Sequence, residues 1–117
     1  MSLNRFFALS LAMIPATAVA GESHCQATHA GSRLASVTLF DGPPSERADL
    51  MPDTVSGRHG NGRSDWDIAY IFQAGRRLFV RCEYGPQVHA IIFEPDTRAR
   101  KCVYRRYATG HRSLACK

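Results

Sequence analysis

Four cysteines and five histidines carry the widest chemical repertoire in this chain of 117 residues, and their spacing restricts it sharply. Cys25, Cys82, Cys102 and Cys116 include no Cys-x-x-Cys pair and are too widely spread for a zinc knuckle, so they are expected to form two disulfides. Four cysteines allow three pairings. The expected one is Cys82–Cys102, clipping a sheet, with Cys25–Cys116 tying the termini together. Bridged sulfurs leave no thiolate for covalent catalysis. His24, His29, His59, His89 and His111 are scattered, and neither Gly-x-Ser-x-Gly nor His-Glu-x-x-His occurs. His89, beside Ile91 and Phe93, reads as a buried or half-buried structural histidine. The expectation is a protein that is not an enzyme and has no cofactor and no metal centre.

Anion binding is the chemistry that remains. Gly57-Arg58-His59-Gly60-Asn61-Gly62-Arg63 has the composition of a phosphate cradle but lacks the Gly-Lys-Ser/Thr ending and the strand–helix context of a P-loop. It reads as part of a mobile surface loop from Asp53 to Ser64, with Arg58, His59 and Arg63 as candidate contacts. The second candidate set is Arg98, Arg100, Lys101, Arg105, Arg106 and Arg112, in a C-terminal stretch with no acid after Asp96. Tyr104 and Tyr107 interleave with Arg105 and Arg106, as a stacking site for a polyanion requires. The plainer use of such a segment is a solvated edge that resists aggregation. Nucleic acid is a poor candidate partner for an exported chain.

These residues need elements to hold them. The clearest is Leu78 to Phe93, where Leu78, Val80, Cys82 and Tyr84 alternate with Phe79, Arg81 and Glu83, Gly85-Pro86 breaks the run, and Val88, Ala90 and Ile92 resume it. That is a hairpin with Cys82 on its core side. Leu34–Phe40, Trp66–Phe72 and Lys101–Tyr107 read as further strands, and Ser113–Cys116 as a last short strand or coil. Ser45–Met51, entered through Pro43-Pro44 and stopped by Pro52, reads as one or two helical turns. Gly21–Arg33 reads as irregular, anchored by Cys25. The fold class is all-β: a small antiparallel meander sheet or partly closed barrel with one short helix, stabilised by disulfides.

Residues 1–20 carry Arg5, an apolar run from Phe6 to Ile14, and a small-residue end, Ala18-Val19-Ala20, the pattern of a secretory signal peptide. Residues 21–117 then form a single small domain, periplasmic or secreted, in which disulfides supplement a limited core. The formal net charge of +5 includes Arg5. The remaining excess is concentrated after Arg98, on a body whose first half is mildly acidic.

Phe40-Asp41-Gly42-Pro43-Pro44-x-Glu46-x-Ala48-x-Leu50-x-Pro52-Asp53, followed by Trp66 and by Leu78-x-Val80-x-Cys82-x-Tyr84, resembles a group of small exported proteobacterial proteins of unknown function. The resemblance implies a secreted, single-domain protein with disulfides, and it transfers no functional residue. This chain departs from the group in its long basic stretch from Arg98 to Arg106. Taken together, the residues point to an exported binding or inhibitor-type module with an acidic periplasmic protein as partner. The alternative is a protein that uses its basic C-terminal segment to bind lipopolysaccharide or another anionic envelope surface.

The cleavage junction generates a prediction. Cutting after Ala20 makes Gly21 the first residue and places His24 fourth. Cutting one residue later would expose Glu22-Ser23-His24, whose amine, two amides and imidazole form a square-planar nitrogen set suited to Cu(II). Intact-mass measurement of the exported protein is expected to give Gly21 as the N-terminus, which removes that copper site.

Overall fold

The computed structural model describes residues 23–117, so the expected leader and its cleavage junction lie outside the described residues. The first described residues pair against the C-terminal strand: Cys25 N–H donates to Leu114 O, and Cys116 N–H donates to Ser23 O. A two-residue turn at Ala30-Gly31, both with positive φ, then joins β1 (Thr28–His29) to β2 (Ser32–Arg33). The segment expected to be irregular is therefore a small hairpin.

β3 (Ser36–Asp41) pairs with β6 (Leu78–Glu83), which pairs in turn with β7 (Ile91–Phe93), all antiparallel. Burial alternates along β6 as the sequence pattern requires, with Leu78, Val80 and Cys82 buried. The strand expected from Val88 is shorter, because 88–90 is loop, and His89 is exposed there rather than buried or half-buried. The outer edge of β3 is occupied by 48–50, through Asp41 N–H to Ala48 O and Leu50 N–H to Leu39 O. That pairing excludes the helix expected over Ser45–Met51. Only one 3-10 turn forms, Pro44–Glu46, ending where Arg47 takes a left-handed conformation.

The second large sheet has the order β4 (Thr54–Arg58), β5 (Asn61–Asp67), β8 (Lys101–Arg106), β9 (Arg112–Cys116). Every pairing is antiparallel and no barrel closes. The order departs from a meander because β4, β5 and a helix are inserted between β3 and its partner β6. That helix, α1 (Ala69–Gln73), lies where a strand was expected. Ile68 and Ile71 are fully buried and Phe72 packs against them, a three- and four-residue spacing, whereas Tyr70 is exposed. Five residues cannot sustain a helix alone. Burying each isoleucine, worth about 1.5–3 kcal/mol, holds it in place.

One core joins both sheets: Leu39, Val80 and Phe93 from one, Trp66, Tyr104 and Leu114 from the other, and Ile68 and Ile71 from the helix region. Trp66 reaches out of it to donate its indole N–H to Leu50 O at 3.0 Å. The disulfides are Cys25–Cys82 and Cys102–Cys116, so both expected pairings are corrected. Cys102 and Cys116 are register partners on β8 and β9, with Cα atoms 3.9 Å apart, which commits each to the other. Cys25 and Cys82 then connect the two sheets. No helix among the described residues is long and apolar enough to cross a membrane.

Non-reducing peptide mapping is expected to recover these two pairs and no free thiol. Loop-closure entropy predicts unequal roles: replacing Cys25 and Cys82 by Ser should cost about 4 kcal/mol, and replacing Cys102 and Cys116 about 3 kcal/mol. Urea titration of the two double variants checks the order.

Candidate functional site

The stretch expected to be a mobile loop is the β4–β5 hairpin. Arg58 pairs with Asn61 across His59-Gly60, and both turn residues have positive φ, 51° and 80°, the geometry of a type I′ turn. The tip is not free. Gly60 packs against Ala108 in the β8–β9 connection, and Asn61 Oδ1 accepts the Ala108 N–H at 3.0 Å. Sequence periodicity missed this hairpin because all five β4 residues are exposed, so neither face carries an apolar pattern. The available signal was His-Gly followed by Asn-Gly between Thr54-Val55 and Trp66.

An open groove of about 480 Å³ lies along the hairpin and the end of β8, lined by Arg58, His59, Arg63, Arg105, Arg106 and Tyr107 among others. The structure thus brings the three loop candidates together with two of the C-terminal candidates. Register decides which way they face. Ser56, Arg63, Arg105 and Ser113 form one row across four strands, and Arg58, two residues from Ser56, shares that face. Gly62, Arg106 and Arg112 form the neighbouring row on the opposite face, continuing the face that carries Tyr104. The Arg106 guanidinium crosses Gly62 so closely that a Cβ there would lie 2.7 Å from it. Arg112 Nη1 donates to Ala35 O, which fixes it to the other sheet.

Directly opposed cations on adjacent strands repel, and Arg63 and Arg105 are so placed. Asp65 offsets this. It is buried, takes Arg63 in a bidentate clasp at 2.7–3.1 Å, and accepts Thr54 Oγ1–H at 3.2 Å. The Arg63 hydrogen bonds hold its carboxyl below the ordinary range. Among the described residues no acid pairs with Arg58, Arg105 or Arg106. Burial pushes the Tyr104 hydroxyl up, opposed by Arg112 and Arg106.

The remaining candidates are elsewhere. Arg98 clasps Asp96 in solvent, and Lys101 stands 3.9 Å from Asp67 at the start of β8. Arg100 is exposed, its N–H bonded to Lys117 O. The basic stretch is therefore two clusters at opposite ends of one strand. The histidines do not converge, and no group of three or more His, Cys, Asp or Glu able to hold a metal occurs among the described residues.

A family model described as type VI secretion system Tli immunity protein matches residues 26–117. The chain belongs to that family. No curated protein and no solved structure matches it. Membership supplies the functional class that the resemblance to small exported proteins lacked: a Tli immunity protein is an inhibitor-type binding module. The matched span contains the whole β4–β5–β8–β9 sheet and its groove, so the arginine surface is part of the Tli domain.

Acid should unfold this domain through its clasped carboxylates. Arg98 holds Asp96 at about 2, and Arg63 and Arg77 lower Asp65 and Glu94. Their stabilisation is fully present above the ordinary carboxylate range and is lost as pH falls toward 2. Denaturant midpoints should be level from pH 7 to about 5 and then fall. Asp65→Asn should cost about 1–3 kcal/mol, because it breaks a buried, doubly bonded clasp. Asp96→Asn should cost far less, since its partner is exposed.

Proposed function

We propose that this protein is an exported immunity protein that binds a toxin delivered by a type VI secretion system and blocks it by occupying its surface, with no catalytic step. The family match over residues 26–117 carries this reading. Two disulfides, with no free cysteine among the described residues, fit an oxidising compartment. Together with the leader-like residues 1–20 they favour the periplasm. The partner surface is acidic, because Arg58, Arg105 and Arg106 are presented without counter-charges among the described residues. Complementary charge accelerates encounter and excludes basic competitors.

A second reading is supported by the same three guanidiniums, which could instead hold phosphates of lipopolysaccharide. The two readings differ in salt dependence and in partner. A type VI effector toxin directed to the periplasm of a sensitive host should stop growth, and co-exported protein should restore it through a 1:1 complex that survives moderate salt. Replacing Arg105 and Arg106 by Ala should weaken that complex at least tenfold, chiefly through slower association. Failure to rescue any effector, with lipopolysaccharide retention that disappears at moderate salt and in the double variant, would replace the immunity reading with the envelope one.

A further inference from the structure

The two larger sheets have four edges, and three of them are managed. The β9 edge is occupied by 23–25 and the β3 edge by 48–50. The β7 edge is three residues long. The fourth, β4, is five residues long and exposed throughout, with no described residue paired to its outer side. Natural sheets blunt such an edge with proline, charged side chains, a bulge or a covering segment. Thr54-Val55-Ser56-Gly57-Arg58 has no proline and no cover along its length and a single charge, Arg58, at its turn end, and its Thr-Val start favours pairing.

The turn fixes which groups are available. In a two-residue type I′ hairpin the flanking residues, Arg58 and Asn61, bond to each other, and the pattern alternates from there. The N–H and C=O groups of Val55 and Gly57 therefore point outward. Gly57 adds no side chain, and Val55 is 65 % exposed. Arg58 stands on this edge strand with no acid partner among the described residues, on the face that carries Arg63 on β5 and Arg105 two strands in. A strand laid along β4 would lie about 4.8 Å away and bring alternate side chains level with Arg58, while its other side chains met Val55.

We propose that the outer edge of β4 is a strand-docking site that takes an extended segment of the partner protein, acidic on the arginine face and apolar on the Val55 face. This rests on the reading of the chain as a toxin-binding module and specifies how it binds. Backbone pairing supplies affinity, and the arginine row selects sequence and orientation. A second copy of this chain is the wrong occupant, because antiparallel pairing of two β4 edges sets Arg58 across from Thr54 and offers it no acidic partner.

The test uses the exported, disulfide-intact protein and two synthetic peptides, Val alternating with Asp and Val alternating with Lys. The acidic peptide should bind and slow hydrogen exchange at the Val55 and Gly57 amides. Val55→Pro removes one outward N–H without breaking a β4–β5 bond, and should weaken binding at least tenfold. Val55→Asp keeps the N–H and adds a repelling charge, and Arg58→Glu reverses the selecting one. Both should weaken binding similarly, and unchanged melting curves show that the variants fold. Equal binding of the basic peptide, protection elsewhere than β4, full binding by a folded Val55→Pro, or a dimer dissolved by Val55→Pro would each overturn the proposal. The immunity reading fails separately. If Val55→Pro still neutralises a toxin, strand docking is wrong and immunity stands. If edge binding is intact but no effector is rescued, the toxin reading is wrong.

Discussion

The Cys25–Cys82 bridge is the constraint on which the architecture depends, because the two larger sheets share no strand. Residues 23–25 belong by hydrogen bonding to β9, at one edge of the four-stranded sheet, whereas Cys82 is on the central strand of the three-stranded one. This covalent bond thus reinforces the Arg112–Ala35 and Trp66–Leu50 hydrogen bonds in holding one sheet against the other, across a core that a chain this short fills with few side chains. The Cys102–Cys116 bridge acts within its own sheet. It holds β9 to β8 and so keeps in place the strand on which the N-terminal segment pairs. The two bridges are arranged in series, and the order of attachment runs from β8 to β9, to residues 23–25, to β6.

The electrostatics are layered on that frame. Several cations of this basic chain are clasped locally: Arg63 by Asp65, Arg77 by Glu94, Arg98 by Asp96 and Arg76 by Asp41. Three cations with no acid partner among the described residues, Arg58, Arg105 and Arg106, line the groove at the β4–β5–β8 end of one sheet. The groove at that end sets these guanidiniums near the outer edge of β4.

The antiparallel β class, the core face of β6, the C-terminal strands and the participation of all four cysteines were legible in the sequence, because each rests on alternation or count. The disulfide partners were not, since pairing follows from which strands become neighbours and sequence spacing does not encode that. Helix α1 was hidden because Trp66, Ile68, Tyr70 and Phe72 alternate as well as Ile68, Ile71 and Phe72 repeat, and only burial separates the two. The site was half legible. Its arginines were identifiable by composition, but the sequence suggested a mobile loop and a basic strand as separate features. Their meeting depends on β5 pairing with β8, a contact between residues about forty apart that local pattern cannot reveal.

The contact between the two hairpin tips, Gly60 against Ala108 and Asn61 Oδ1 on the Ala108 N–H, changes what recognition costs. A loop of this composition left free would have to surrender its backbone freedom on meeting a partner, at about 1–2 kcal/mol per residue ordered. Here that entropy is given up during folding, so under the proposed binding mode the hairpin has no ordering left to do. The same rigidity separates shape from chemistry: exposed side chains such as Val55 and Arg58 can be exchanged for others on an unchanged backbone, allowing one scaffold to be redirected from one partner to another without being refolded.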